Sequence, residues 1–159
     1  MNFLTRLLDP GLTTHPFLEG ISLRHLELIA GFASEVSFSQ NQYLFHEYEE
    51  ARDFYLILSG RISVETFADG YGPLTIQIVR NGEILGWSSL VPPHHWRFNA
   101  KAILPSHALA LDGKLLREQC ERDHDFGYEI FKRLGHITAQ RVELTRQQLV
   151  STCEILSSK

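Results

Sequence analysis

Cysteine is scarce in this 159-residue sequence, which contains only Cys120 and Cys153, both in segments with a helical pattern. Two distant cysteines provide neither a disulfide framework nor the spacing of a metal site, which favours a reducing, cytoplasmic location. Long hydrophobic runs are also missing: the apolar start is too short for a signal peptide or a membrane span. We expect it to form a helix packed on the domain, with an interfacial helix as the alternative (Phe3, Leu4, Leu7 and Leu8).

The sequence has no excess of basic charge. It carries 15 Lys and Arg against 19 Asp and Glu, a net charge of -4 and a pI of about 6.0. This balance argues against nonspecific nucleic-acid binding over the whole surface, but it leaves room for a local basic site. Apolar residues make up 43% and charged residues 21%, as in one ordinary globular domain with a real core.

Motifs of common catalytic and metal sites are not found either. The eight histidines include no His-x-His pair, and the adjacent His94 and His95 would point to opposite faces of a strand. No Gly-x-Ser-x-Gly motif and no Cys/His nucleophile pair is visible. We therefore expect no metal, no cofactor and no enzymatic activity.

The hydrophobic periodicity changes twice along the chain. Ser22 can cap a helix in the first part, and from about residue 35 to residue 112 apolar residues alternate with polar ones, as in Ile62, Val64 and Thr66. Turn signals separate short strands, which predicts an antiparallel jelly-roll β-barrel. We expect a single domain made of N-terminal helices (1–34), a β-roll (35–112) and C-terminal helices (113–159).

The last predicted helix is unusually long, running roughly to Leu156. Its apolar stripe continues past the length that one domain needs, which predicts that part of it packs against a second copy. The alternative is that the whole stripe packs on its own barrel. The stripe consists of Ile130, Leu134, Ile137, Leu144 and Leu149.

The segment from residue 82 to residue 102 is the most informative. A Gly-Glu turn and a short strand lead into a hydroxyl-rich turn, a Pro-Pro break and a cluster of basic and aromatic residues. A loop of this composition between strands can wrap a small anionic ligand.

Several motifs occur in order from about residue 15 to residue 154. They are His15-Pro16-Phe17-Leu18, the segment 53–60, Gly82-Glu83, the turn from Gly86 to Leu90, and Arg141. Taken in this order, they resemble the cyclic nucleotide-binding domain of the catabolite-activator type, a family that also supplies regulatory domains to kinases and ion channels. The segment 53–60 is the most specific match, because the family carries the same strand-Gly-strand hairpin.

The resemblance implies a phosphate-binding turn at residues 86–90. Gly86 would allow close approach, and the backbone amides of Trp87, Ser88 and Ser89 would face a cyclic phosphate, with hydroxyls from the two serines. Trp87 departs from the family because it stands where a ribose-binding Glu is expected, and an indole cannot accept a hydrogen bond.

The family's phosphate-binding Arg has no clean equivalent. Counting forward from Gly86 gives Arg97, which we predict to be the phosphate partner. Counting back from Ala100-Lys101-Ala102 favours His95 or Trp96 instead.

The long helix would supply a lid. Alignment through Arg141 places Thr145 and Arg146 nearest the base, where Thr145 can donate and accept and Arg146 can stack. A solvent-facing helix surface is the alternative for both.

Three functions remain open. The chain is expected to be a sensor module that binds cAMP or cGMP and signals to an unknown protein partner. Alternatively, it binds another small anion sealed by Trp87, or it is a degenerate domain for protein interaction or dimerisation whose site is filled by side chains (Trp87, Trp96, Pro92 and Pro93). Because no helix-turn-helix follows the long helix, we expect no direct DNA binding. We also expect no membrane partner, because the apolar start is too short to span a bilayer.

Overall fold

The computed structural model describes residues 9–158 and places helices on both sides of eight strands. The first elements are α1 (Pro10–Thr14), a 3₁₀ turn (Pro16–Leu18) and α2 (Leu23–Phe32). The strands are β1 (Ala33–Phe38), β2 (Tyr43–Phe45), β3 (Asp53–Ser59), β4 (Arg61–Ala68), β5 (Gly72–Arg80), β6 (Ile84–Leu85), β7 (Asn99–Ala102) and β8 (Ser106–Asp112). A second 3₁₀ turn (Trp87–Ser89) follows β6, and α3 (Gly113–Arg122) and α4 (His124–Ser157) end the structure.

The predicted helix at Phe3, Leu4, Leu7 and Leu8 lies outside the described residues. Among residues 9–158, no helix combines the length and apolar character needed to cross a bilayer.

The strands form two antiparallel four-stranded sheets, ordered β1-β8-β3-β6 and β2-β7-β4-β5. This arrangement, flanked by helices and followed by one long helix, confirms the predicted jelly-roll class.

Strand β3 is buried on both sides. Phe54 and Leu56 pack in the cluster that includes the helices, whereas Tyr55 and Ile57 pack in the interior of the roll. Successive strand residues point to opposite faces, so a strand between two apolar layers reads as a continuous hydrophobic run. The sequence of β3 has this form.

Polar side chains start the helices. The Ser22 hydroxyl accepts from the His25 N–H at 3.3 Å, as the sequence predicts, and the Asp123 carboxylate accepts from the Phe126 N–H at 3.1 Å. Asp123 also pairs with Arg24 at 2.5 Å, which links the start of α4 to α2.

The apolar stripe of α4 divides into two halves. Ile130 and Leu134 are buried against the rest of the domain, whereas Leu144 and Leu149 are 59% and 64% exposed. From Val142 onward every described residue of the helix is exposed. The fold therefore covers only the first half of the stripe.

Candidate functional site

Gly86 begins the turn that the sequence marks as a ligand site. Its φ of 93° lies in the left-handed region, and a Cβ there would stand 2.7 Å from the Asp53 backbone oxygen. The positive φ and the short distance to Asp53 both require glycine, and the missing side chain lets this turn pack closely against β3.

The turn after Gly86 satisfies many of its own polar groups. The Ser89 N–H and hydroxyl both donate to the Gly86 oxygen, at 3.0 and 2.8 Å, and Arg117 donates to the Ser89 oxygen. Ser88 and Ser89 are both buried. The N–H groups of Trp87 and Ser88 have no acceptor among the described residues. The turn therefore offers two free amides, while the Ser89 hydroxyl is already engaged.

Trp96 is the unexpected feature of the site. It is only 5% exposed, and its ring stacks on Phe45 with centroids 3.7 Å apart. A Cβ on Gly86 would lie 3.2 Å from Trp96 Cη2, so the indole reaches the first residue of the turn. The Trp96 side chain thus occupies the interior of the roll beside the predicted ligand site.

A short ladder outside the named strands holds Trp96 in this position. The Trp96 N–H donates to the Glu49 oxygen at 2.9 Å, and the Tyr48 N–H donates to the Trp96 oxygen at 2.8 Å. The sequence contained a signal for the inward orientation, because Trp96 shares the period-two pattern of Ala100 and Ala102, which are also buried.

The two candidate phosphate partners flank Trp96 and are both exposed. The Arg97 guanidinium carbon lies 5.7 Å from the centroid of the Trp87 ring, a cation–π contact. His95 places Nδ1 2.9 Å from the Pro93 oxygen. Among the described contacts, neither side chain meets a hydrogen-bond partner on the turn 86–89, so their role in binding a phosphate remains a prediction.

The predicted lid residues lie on the exposed half of α4. The Thr145 hydroxyl donates to the Arg141 oxygen at 2.9 Å, and Arg146 donates to Glu143 at 2.9 and 2.7 Å. These bonds stay within the helix. The structure does not join them to the turn 86–89 through any hydrogen bond of the described residues, and their contact with a base remains a prediction.

Asp53, whose backbone oxygen lies beside Gly86, carries a partly buried carboxylate. Burial and the nearby Asp112 carboxylate raise the pKa of Asp53, and burial together with Asp53 raises the pKa of Tyr55, whose hydroxyl lies 3.5 Å from the Asp53 carboxylate.

Metal coordination finds no support within residues 9–158, where no group of three or more His, Cys, Asp or Glu side chains is arranged to hold an ion.

Comparison with known proteins identifies the family. The sequence model of the cyclic nucleotide-binding domain family matches residues 35–123, more than half of the chain. The chain belongs to the cyclic nucleotide-binding domain family. A search of curated protein sequences finds no match.

Solved structures of cyclic nucleotide-binding domains share the fold. A protein from Geobacter metallireducens described as cyclic nucleotide-binding is 26% identical, with a TM-score of 0.72 over 80% of this chain and 92% of its own. A cyclic nucleotide-binding domain from Methylobacillus flagellatus is 17% identical, with a TM-score of 0.77 over 94% of this chain and 84% of its own. The regulatory subunit of a cAMP-independent protein kinase A from Trypanosoma brucei is 19% identical, with a TM-score of 0.75 over 92% and 53%.

Proposed function

We propose that this domain is a regulatory module, not an enzyme, whose ligand site is closed by Trp96 and which acts through protein contacts. The observation that carries the proposal is the indole of Trp96, which is buried on Phe45 and would stand 3.2 Å from a Cβ placed on Gly86. An indole offers one donor and no positive charge, so it cannot form the ion pair that an Arg forms with a phosphate.

The strand register supports this proposal. Counting back from β7, one of the two readings left open by the sequence places Trp96 where the family carries its phosphate-binding Arg. Trp87 likewise stands where the family carries the Glu that accepts from the ribose. Both anchoring charges are then replaced by indoles. The fold is also found in a kinase regulatory subunit described as cAMP-independent.

The protein contact that we propose is a homodimer through the second half of α4. Val142, Leu149 and Leu156 are 69%, 64% and 67% exposed and are spaced by seven residues. Such spacing places them on one side of the helix, where two copies can pack as a coiled coil. The other partner of the domain stays unidentified.

Binding of cAMP or cGMP is the second candidate function. It is favoured by family membership and by the free N–H groups of Trp87 and Ser88, which follow a left-handed Gly86 and can donate to a phosphate. In this case Arg97 is the expected phosphate partner.

Calorimetric titration with cAMP and with cGMP distinguishes the two functions. We expect no saturable binding to the natural sequence, and micromolar affinity for a Trp87→Glu, Trp96→Arg double variant that restores both anchoring charges. The Trp87→Glu single variant is the control for the loss of one indole. Micromolar binding by the natural sequence would overturn the closed-site proposal and establish the second function.

A further inference from the structure

A separate cleft of about 620 Å³ lies between α4, the 3₁₀ turn at Pro16–Leu18 and the turn that joins β5 to β6. This volume is within the usual range of small-molecule sites. Its accessible apolar surface comes mainly from Pro16 and Ile137, with the buried Phe17 and Ile84 beneath, and its polar surface comes largely from α4. None of the residues of the turn 86–90 lines it.

Arg141 is the residue that gives this cleft its chemistry. The guanidinium is half-buried, and its Nη2 donates to the Ile84 oxygen at 2.5 Å. None of its other N–H groups has a hydrogen-bond partner among the described residues, and no described carboxylate lies within 4 Å of it. Burial lowers the pKa of Arg141, and the more distant Glu83 opposes this only in part. A half-buried cation without a close anion has unused charge and unused donors, which an anionic group in the cleft could satisfy.

The neighbouring cations, Lys132 and Arg133, differ from Arg141 because each is already paired with a carboxylate. Lys132 lies 2.9 Å and Arg133 lies 3.3 Å from the Glu129 carboxylate. Arg133 also donates to the backbone oxygens of Phe17 and Glu19, at 2.9 and 2.7 Å.

Two further side chains at the cleft have unused hydrogen-bonding groups. His136 and Gln140, one helical turn apart, make no hydrogen bond with any described residue. Of the two carboxylates at the rim, that of Glu83 accepts from the Arg80 N–H at 2.6 Å, and Glu19 is exposed.

We propose that this cleft binds a small molecule that carries an oxyanion, a phosphate or a carboxylate, on a compact apolar group. The remaining N–H groups of Arg141 bind the oxyanion, since a planar guanidinium matches two oxygens at once. His136 and Gln140 donate at the rim, and the apolar group packs on Pro16 and Ile137. The ligand would connect α4 to the N-terminal turn and to the β5–β6 turn. This proposal is independent of the state of the turn at Gly86.

Phenyl phosphate, benzoate and the uncharged benzyl alcohol are suitable probes, followed by amide chemical shifts of the full chain. We expect saturable shifts with one or both anions, centred on residues 82–84 and 136–141, and none with benzyl alcohol. The stronger anion identifies phosphate or carboxylate as the natural group. Absence of saturation with both anions, equal binding of the alcohol, or shifts centred on residues 86–90 would overturn the proposal.

Variants test the assignment of residues. Arg141→Lys keeps the charge but not the planar fork, and we expect it to weaken anion binding at least fivefold. Because Arg141 also ties α4 to Ile84, His136→Glu provides a second test at an exposed position that leaves folding intact. It should weaken binding at least threefold, whereas the control His124→Glu, at the first residue of α4, should not. Unchanged affinity in both Arg141→Lys and His136→Glu would contradict the proposal.

Discussion

The indole of Trp96 lies nearly parallel to the ring of Phe45, with centroids 3.7 Å apart and planes inclined by 10°. Phe45 belongs to β2, and Trp96 belongs to the ladder segment that precedes β7, so the pair joins two separate parts of the roll. The same indole would stand 3.2 Å from a Cβ placed on Gly86. Trp96 therefore contributes to the packing of the roll and at the same time fills space beside the predicted ligand site.

Truncation of Trp96 should be costly. We expect Trp96→Ala to lower the free energy of unfolding by about 3–5 kcal/mol, because the change leaves a large cavity against Phe45. Urea unfolding followed by far-ultraviolet circular dichroism measures this loss. The control Trp87→Ala removes an indole that is only partly buried, and it should cost less than half as much. Equal costs would mean that Trp96 is not the central packing residue of the site.

Gly86 should tolerate no side chain. In Gly86→Ala the new Cβ would stand 2.7 Å from the Asp53 oxygen at a φ of 93°, so we expect a loss of about 3 kcal/mol or more. Gly70→Ala is a matched control, since its φ of 82° carries similar strain but its Cβ meets nothing within 4 Å. We expect about 1 kcal/mol there. Thermal unfolding of both variants separates steric clash from backbone strain.

Arg97 distinguishes the two candidate functions. If the site is closed, Arg97→Ala removes only an exposed cation–π contact with Trp87 and should change stability by less than about 1 kcal/mol. If the natural sequence binds cAMP or cGMP, the same change should weaken binding by about 2–4 kcal/mol, because a charged partner is lost. Calorimetry and thermal unfolding of this one variant give both values.

The exposed half of α4 should control the oligomeric state. We expect the natural chain to be a dimer in sedimentation equilibrium, and the double variant Val142→Glu, Leu149→Glu to be a monomer. Ser151→Glu places a charge at an exposed position about 180° around the helix from Val142, and it should leave the dimer intact. A natural chain that sediments as a monomer would contradict the proposed homodimer.

His15 should make the fold sensitive to acid. Its Nδ1 accepts from the Phe17 N–H at 3.2 Å, its Nε2 is buried without a hydrogen-bond partner, and burial lowers its pKa below 6.5. The carbonyls of Ile57 and Glu83 oppose this lowering, although neither makes a hydrogen bond of good geometry with Nε2.

The direction of the pH effect follows from the lowered pKa. Below pH 6.5 the unfolded chain binds a proton at His15 that the folded chain resists, so stability falls as the pH falls towards the folded pKa, by at most about 1.4 kcal/mol per pH unit. Urea unfolding at pH 7.5, 6.5 and 5.5 measures the slope. His15→Gln keeps an acceptor for the Phe17 N–H but cannot titrate, so its slope should be smaller. Equal slopes would remove His15 from the explanation.

The order of the elements could be read from the sequence because it rests on local rules. The period-two pattern in Ile62 and Val64, the cap at Ser22 and the long helical stretch each depend on neighbours in the chain. The same local motifs supported the resemblance to the cyclic nucleotide-binding family, which the family match at residues 35–123 confirms. Gly86 was also identified in this way, since its left-handed turn is a local requirement.

Only the tertiary structure decided which of the side chains of Trp96 and Arg97 points into the roll. Counting from Gly86 and counting from Ala100 gave different registers, and a shift of one residue reverses which side chain points inward. The ladder between Trp96 and Glu49 fixes the inward orientation of Trp96 through contacts that are distant in sequence. The division of the α4 stripe is likewise tertiary, because burial depends on where the rest of the domain ends and not on the helix itself.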